Sequence, residues 1–264
     1  MTGVDQTALA GFARFSFTHD GHPHEVYRAG SGPAVLVLHE MPGLHPGVLE
    51  FARRLVAAGY TTFLPSLVGR AGEPHSAAAI RRSVARACVV REFTMLTDRT
   101  SRVTGWLRAL AAVAHAECGA AGVVGMCFSG GFALATALEP AVAAAVVSQP
   151  ALPAPLGRRG RAALGLDPAD RTRLRDRDGL CVLGLRFSED KQSPPERFET
   201  LRRLLGAAFE GVEIDSSPGN PHGIPVSAHS VLTVDLVDEP GHPTRAALDR
   251  VLEFLRARLS PSAP

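Results

Sequence analysis

The pattern of hydrophobic and polar positions divides the chain into short, valine-rich apolar runs and longer amphipathic stretches, which alternate along the sequence. The apolar runs are typical of strands buried on both faces of a sheet. We predict strands at Ala34–His39, Tyr60–Leu64, Ala121–Met126, Val142–Ser148, Leu180–Phe187 and Val212–Asp215. Helical spacing predicts helices at Gly47–Gly59, Ala77–Thr94, Asp98–Glu117, Ser129–Leu138, Pro194–Phe209 and Pro243–Leu259. Because strands and helices alternate, we expect an α/β fold with one mostly parallel central sheet and helices on both faces.

Two segments depart from this alternation. Near the N-terminus, Phe12–Thr18 and Pro23–Arg28 flank Asp20-Gly21, a dipeptide that favours a tight turn, and together they predict a β-hairpin. The stretch Gln149–Gly179 is rich in Pro and Arg and is predicted to be a long loop. Since single α/β domains often reach this size, we expect residues 1–264 to form one domain.

The composition excludes several classes of protein. A net charge of +2 and 45% hydrophobic residues favour a globular protein that binds neither nucleic acid nor membrane. No apolar run is long enough to span a bilayer and the N-terminus does not resemble a signal peptide, so a cytoplasmic location is the expected default. The chain has no CxxC pair, and we expect no metal and no organic cofactor. Three cysteines are expected to be structural: Cys88, Cys118 and Cys181.

The fourth cysteine lies in a motif that carries chemistry. Gly125–Gly131 reads GMCFSGG, at the junction of a predicted strand and a predicted helix. This is the cysteine form of the G-x-S-x-G nucleophile elbow, in which a sharp turn exposes the nucleophile above the strand. We therefore predict Cys127 as the nucleophile and the backbone N–H of Phe128 as an oxyanion donor. Ser129 lies beyond the apex of the turn and is not expected to react.

The nucleophile elbow predicts the chain order nucleophile, acid, histidine. A predicted strand ends just before Glu189 and Asp190, so either carboxylate can be the acid. Two histidines, His229 and His242, lie between the last predicted strand and the final helix. His242 directly precedes that helix, and the helix dipole there disfavours the imidazolium that a general base must become. The sequence therefore favours His229.

The stretch Ala34–Arg70 adds a family resemblance. It reads AVLVLHEMPGLHPGVLEFARRLVAAGYTTFLPSLVGR: a strand ending in Glu, then Gly, a helix, Gly-Tyr, a second strand and an Arg. Together with the elbow, it resembles the dienelactone hydrolases, and the likeness extends over about Val35–Leu138. The resemblance implies the α/β-hydrolase fold. It also favours Asp190 as the acid, because the acid of that family precedes a short polar turn into Pro, and His229, because the family's histidine is likewise followed by Ser.

The same resemblance implies three further site residues. Glu40 would act as a base that takes the thiol proton when substrate arrives, and the backbone N–H of Met41 would be the second oxyanion donor. Arg70 would bind a carboxylate of the substrate through its planar guanidinium. The chain departs from the family at Pro65-Ser66-Leu67, where Pro-Asp-Leu is usual, and in Gln149–Gly179. Both departures affect the choice of substrate more than the reaction.

The sequence thus predicts a hydrolase that cleaves a small ester or lactone through a Cys-His-Asp triad and uses a small-molecule substrate. We expect a monomer or a small homo-oligomer. Two alternatives stay open: a broad-specificity carboxylesterase with a cysteine nucleophile, and a catalytically silent α/β-hydrolase scaffold that binds a ligand.

Overall fold

Eight strands form one sheet in the computed structural model, which describes residues 6–89, 101–152 and 157–259. The order across the sheet is β1-β2-β4-β3-β5-β6-β7-β8, and every pair from β4 to β8 is parallel. The two antiparallel pairs, β1 with β2 and β2 with β4, include the predicted N-terminal hairpin. The strands are β1 Ala13–His19, β2 His22–Ala29, β3 Ala34–Leu38, β4 Thr61–Pro65, β5 Ala121–Met126, β6 Val142–Ser148, β7 Cys181–Phe187 and β8 Phe209–Ile214.

Helices cover both faces of this sheet, as the sequence predicts. They are α1 Pro46–Ala57, α2 Ala77–Val89, α3 Val103–Cys118, α4 Gly130–Thr136, α5 Gly157–Ala162, α6 Pro168–Arg175, α7 Pro195–Leu205 and α8 Pro243–Leu259. Alternate residues of β3 divide between the two cores. Leu36 and Leu38 belong to the core that includes residues of α3, α4 and α7, whereas Val35 and Val37 belong to the core that includes residues of α1 and α8. The predicted α/β sheet is confirmed, and no helix among the described residues is long and apolar enough to cross a bilayer.

Three predicted segments differ in the structure. The helix predicted to reach Phe209 ends at Leu205, because Phe209 begins β8, three residues before the predicted start of that strand. Gln149–Gly179 is not one long loop, because it contains α5 and α6. The start of α6 has recognisable sequence signals: Asp167 accepts a hydrogen bond from Asp170 N, and Pro168 occupies the first turn. Helix α3 begins at Val103 instead of Asp98, and the residues between α2 and position 101 lie outside the described part of the chain.

The parallel register brings the carboxyl ends of the central strands to one edge of the sheet. Leu38 pairs with Gly125, Met126 with Ser148, and Ser148 with Leu185. The loops that follow β3, β5, β6 and β7 therefore start side by side, and they carry most of the predicted site residues.

Candidate active site

Cys127 lies at a sharp turn between β5 and a short 3-10 turn, Cys127–Ser129, that leads into α4. Its φ is 53°, a left-handed conformation that is rare for residues other than Gly. The turn leaves no room for larger neighbours: a Cβ on Gly125 would lie 2.5 Å from Ser129 O, and one on Gly130 would lie 2.6 Å from Pro150 Cβ. The structure thus forms the strand–turn–helix unit that the motif predicts, with the Cys127 side chain partly exposed.

Ser129 stabilises this turn through the hydrogen bonds of its hydroxyl group. Its Oγ is within 2.9 Å of the carbonyl oxygens of both Leu38 and Met126, and it accepts a hydrogen bond from Met126 N. The side chain is fully buried. Ser129 therefore links the elbow to β3, and its hydroxyl is unavailable as a nucleophile.

Asp190 and His229 lie together, although they are far apart in the sequence. His229 Nδ1 donates to Asp190 Oδ2 at 2.7 Å, and Asp190 Oδ1 accepts from Gln192 N at 2.9 Å. The imidazole also lies against the Cys127 side chain. Its other nitrogen, Nε2, is buried without a well-formed hydrogen bond to any described residue. The structure brings together all three residues of the predicted triad.

The charge of His229 follows from these neighbours. Burial alone would lower the pKa of His229, but the hydrogen bond with Asp190 and the interaction with Cys127 outweigh it and raise the pKa to about 11. These interactions favour the protonated form of the imidazole, which can act as an acid.

The rejected alternatives occupy other places. His242 Nδ1 is 2.7 Å from Thr244 Oγ1 at the start of α8, and its ring packs against His222. Glu189 contributes a backbone N–H to Ser216 Oγ. In the described part of the chain, neither residue makes a hydrogen bond to Cys127 or to the Asp190–His229 pair.

Asp235 shapes the loop of His229 and was not identified from the sequence. Its Oδ2 accepts hydrogen bonds from His229 N at 2.9 Å and Ser230 N at 2.8 Å. This carboxylate fixes the backbone on which the imidazole stands. A lone Asp six residues beyond a candidate His gives no sequence signal that would single it out.

Glu40 is a buried carboxylate with four donors. Oε1 accepts from His45 Nε2 at 3.1 Å and from Thr233 Oγ1, while Oε2 accepts from Gln149 Nε2 at 3.0 Å and Ser230 Oγ at 2.7 Å. Burial would raise the pKa of Glu40, but the hydrogen bonds from its neighbours, led by His45, lower it below the ordinary value. None of the four donors is Cys127, and one of them adjoins His229.

His39 is a second buried group that was not selected from the sequence. Nδ1 donates to Glu40 O at 2.9 Å, Nε2 accepts from Leu67 N at 3.1 Å, and the ring packs on Phe128. Burial lowers the pKa of His39 to about 4, so the ring is neutral at neutral pH. It links the loop after β3 to the loop that leads to Arg70.

The two predicted oxyanion donors lie in the segments that follow β3 and β5, two strands whose ends are adjacent at one edge of the sheet. Phe128 follows Cys127 directly, at the start of a helical segment, where amide groups have no intrahelical partner. The N–H of Met41 donates no hydrogen bond to any residue in the described ranges. Both amides are therefore candidates to bind an anionic oxygen.

Comparison with known proteins identifies the family. The sequence model of the "Dienelactone hydrolase family" matches residues 22–259. The chain belongs to the dienelactone hydrolase family.

Relatives of this dienelactone hydrolase family member include a protein of Escherichia coli K12 described as "Putative carboxymethylenebutenolidase". The two are 27% identical over 83% of this chain and 78% of the relative. Two solved structures share the fold. A "Putative Dienelactone Hydrolase" of Klebsiella pneumoniae has a TM-score of 0.63 at 21% identity, covering 92% of this chain and 97% of its own. A soluble variant of monoglyceride lipase from Saccharomyces cerevisiae has a TM-score of 0.66 at 13% identity, covering 99% and 100%. The chain is thus a hydrolase with the α/β-hydrolase fold.

Arg70 is exposed and makes no hydrogen bond or ion pair with Cys127, Asp190 or His229. It lines an open cavity of about 340 Å³ together with Glu73 and Arg82. Arg82 is ion-paired with Glu73, whereas the Arg70 side chain makes no ion pair with a described residue. The structure does not bring Arg70 into contact with Cys127, so a role in substrate binding stays a prediction.

Proposed function

We propose that this member of the dienelactone hydrolase family cleaves a small ester or lactone with Cys127 as nucleophile, His229 as acid and base, and Asp190 as the group that orients His229. The observation that carries the proposal is the 2.7 Å hydrogen bond between Asp190 and His229, with the imidazole against Cys127 at the elbow. An Asp190 side chain with no hydrogen bond to His229, or a histidine far from Cys127, would not support the same chemistry.

The first half of the reaction forms an acyl-enzyme. The Cys127 thiolate attacks the carbonyl carbon, and the oxygen takes the electron pair of the C=O bond. The N–H groups of Met41 and Phe128 donate to that oxyanion. As the tetrahedral intermediate collapses, the C–O bond to the leaving group breaks and protonated His229 gives its proton to the departing alkoxide. In a lactone the alcohol stays attached to the acyl group.

The second half returns the enzyme to its starting state. His229, now neutral, takes a proton from water, and the resulting hydroxide attacks the thioester carbon. Collapse of the second intermediate expels the Cys127 thiolate and releases the acid, which leaves His229 protonated beside the thiolate. Asp190 keeps Nδ1 occupied throughout, so that Nε2 remains the nitrogen that exchanges protons.

Labelling of the thiol tests this function. Iodoacetamide should modify Cys127 before the partly exposed Cys118, and activity on dienelactone and on nitrophenyl esters should fall in step with the modification of Cys127. Cys127→Ala should have less than roughly 1% of the wild-type rate, and Cys118→Ala should keep it. A Cys127→Ala variant with most of its activity would refute the mechanism. Equal turnover of neutral and anionic esters would favour a broad carboxylesterase, and no turnover would favour a binding scaffold.

A further inference from the structure

Arg197, on α7, is a fully buried cation whose hydrogen bonds to described residues all go to backbone carbonyl groups. Its Nε donates to Ala163 O at 2.7 Å, Nη1 to Pro150 O at 2.5 Å and Gln192 O at 3.0 Å, and Nη2 to Gly160 O at 3.3 Å. Only 1% of the residue is exposed. Within the described ranges it has no carboxylate in ion-pair contact. A buried guanidinium without a direct counter-ion is costly, so it calls for an explanation.

Two of the acidic groups that interact with Arg197, Asp190 and Cys127, belong to the candidate active site. Burial lowers the pKa of Arg197 to about 10, while Asp190, Cys127 and Glu196 act in the opposite direction. Arg161 and Glu196, the other charged groups that face it, form an ion pair with each other at 2.6 Å. Arg197 therefore stays charged at neutral pH, and the acidic groups left to balance it are Asp190 and, once it is ionised, Cys127.

Two of the four carbonyl groups that Arg197 binds belong to segments that contact Cys127 and Asp190. Pro150 presses against the first turn of α4, and the next residue donates its N–H to Cys127 O at 2.9 Å. Gln192 donates its own N–H to Asp190 Oδ1 at 2.9 Å. Arg197 thus holds the two backbone segments on which Cys127 and Asp190 depend.

We propose that Arg197 is a positioning residue for this site: it clamps the segments at Pro150 and Gln192 against the elbow and the acid, and its positive charge favours the anionic states of the site. Those states are the thiolate before the reaction and the oxyanion during it. The inference rests on the proposed nucleophilic role of Cys127, but its main measurement does not require ester turnover.

Two substitutions of Arg197 separate the effect of its charge from the effect of its hydrogen bonds to the carbonyl groups. Arg197→Gln keeps amide donors but removes the charge, whereas Arg197→Lys keeps a charge but cannot span four carbonyl groups. Arg202→Gln, on the exposed side of the same helix, removes a charge that water already screens and is the matched control. The rate of Cys127 alkylation by iodoacetamide is measured against pH by peptide mass spectrometry, together with kcat, KM and the thermal midpoint.

We expect Arg197→Gln to alkylate roughly 10-fold more slowly than wild type at neutral pH, with the pH profile displaced to higher pH. Arg197→Lys should restore most of the alkylation rate, yet keep a lowered kcat with little change in KM. Arg202→Gln should match wild type in every measurement.

Folded Arg197→Gln protein that alkylates as fast as wild type would overturn the proposal, even if its thermal midpoint is lower. If Arg197→Gln does not fold, Arg197→Lys decides: a wild-type kcat would overturn the clamp, and a lowered kcat with preserved alkylation would support it. Failure of the proposed function has a different signature, because wild-type Cys127 would then alkylate no faster than Cys118.

Discussion

Cys127 adopts a backbone conformation that costs on the order of 1–3 kcal/mol for a residue with a Cβ. The cost is sustained because the surroundings fix the turn: Ser129 hydrogen-bonds to β3 and to the elbow, and Gly125 and Gly130 admit no larger side chain. The strain points the sulfur away from the sheet, towards His229. The proposed reactivity of Cys127 therefore depends on a backbone turn that the rest of the fold supports.

We expect His229→Ala to lower kcat by roughly 10³-fold, as the loss of a triad member does. His242→Ala should cost far less and act mainly on stability, because His242 contacts Thr244 and His222 at the start of α8. Steady-state kinetics of the two variants on one ester provide the test. A larger loss for His242→Ala would invert the assignment.

His39 predicts a pH dependence of stability. Its pKa is about 6.5 when unfolded and about 4 when folded, so the unfolded chain binds a proton here that the folded chain does not. The free energy of unfolding should therefore fall as pH is lowered from about 6.5 to about 4. His39→Gln keeps a donor for Glu40 O and an acceptor for Leu67 N, so it should show a shallower fall over that range.

Urea unfolding of wild type and His39→Gln at several pH values measures the two slopes. Identical slopes for the two proteins would show that His39 carries none of the acid sensitivity. The comparison is of slopes within each protein, so a constant loss of stability in the variant does not affect it.

At the residue scale, the structure brings together those candidate residues that the sequence selects from a short motif or from chain order. Cys127 follows from the elbow, and Asp190 and His229 follow from chain order together with the family resemblance. The partners of Glu40 could not be predicted, because Gln149 and Ser230 reach it from loops more than a hundred residues away. Such donors become neighbours only when the parallel sheet brings its strand ends together.

At the scale of elements, loops position the residues of the candidate site, and Glu40 connects three of these loops. It lies after β3, and its donors lie after β6, at the start of α1 and in the loop of His229. All four acceptor positions of the carboxylate are occupied. This arrangement favours Glu40 as a positioning residue for the histidine loop over the base that the family resemblance implies.

Glu40→Gln tests that choice. In this variant an amide NH2 replaces one carboxylate oxygen and faces groups that themselves donate hydrogen bonds. We therefore expect a loss of about 1–3 kcal/mol in the free energy of unfolding, with a lower kcat. Thr233→Val, which removes one donor without changing shape, should show smaller losses of both kinds. Chemical unfolding and kinetics measure the two effects. A lower kcat at unchanged stability in Glu40→Gln would instead favour the role of Glu40 as a base that takes the thiol proton.

Element boundaries show where sequence patterns fail. The β5 and β6 bounds and helix α8 are as predicted, because each has a continuous apolar pattern or a Pro at its start. Helices α5 and α6 were missed, since both are short, rich in Arg and poor in apolar residues. The carbonyl group of Gly160 in α5 and that of Ala163, just after α5, bind Arg197, and no side-chain pattern can reveal such contacts.

On the scale of the whole molecule, the alternation of strands and helices is sufficient to predict one parallel sheet covered on both faces, but it carries no information about the substrate. Substrate choice depends on which charges surround the open side of the site. Arg70 and Arg82 share one open cavity, and only Arg82 is neutralised there by Glu73.

The two arginines therefore make a matched pair for testing whether the protein prefers anionic substrates. Arg70→Gln should lower kcat/KM for esters that bear a carboxylate, by about 10-fold at low salt, and should leave neutral esters nearly unchanged. The effect should shrink as salt is added, because Arg70 is exposed and its attraction is screened. Arg82→Gln should leave the ratio of anionic to neutral kcat/KM unaltered, since Glu73 already cancels that charge. Kinetics on a matched pair of anionic and neutral esters give this ratio for each variant. Equal losses on both esters in Arg70→Gln would mean that Arg70 supports the loop and does not select the substrate.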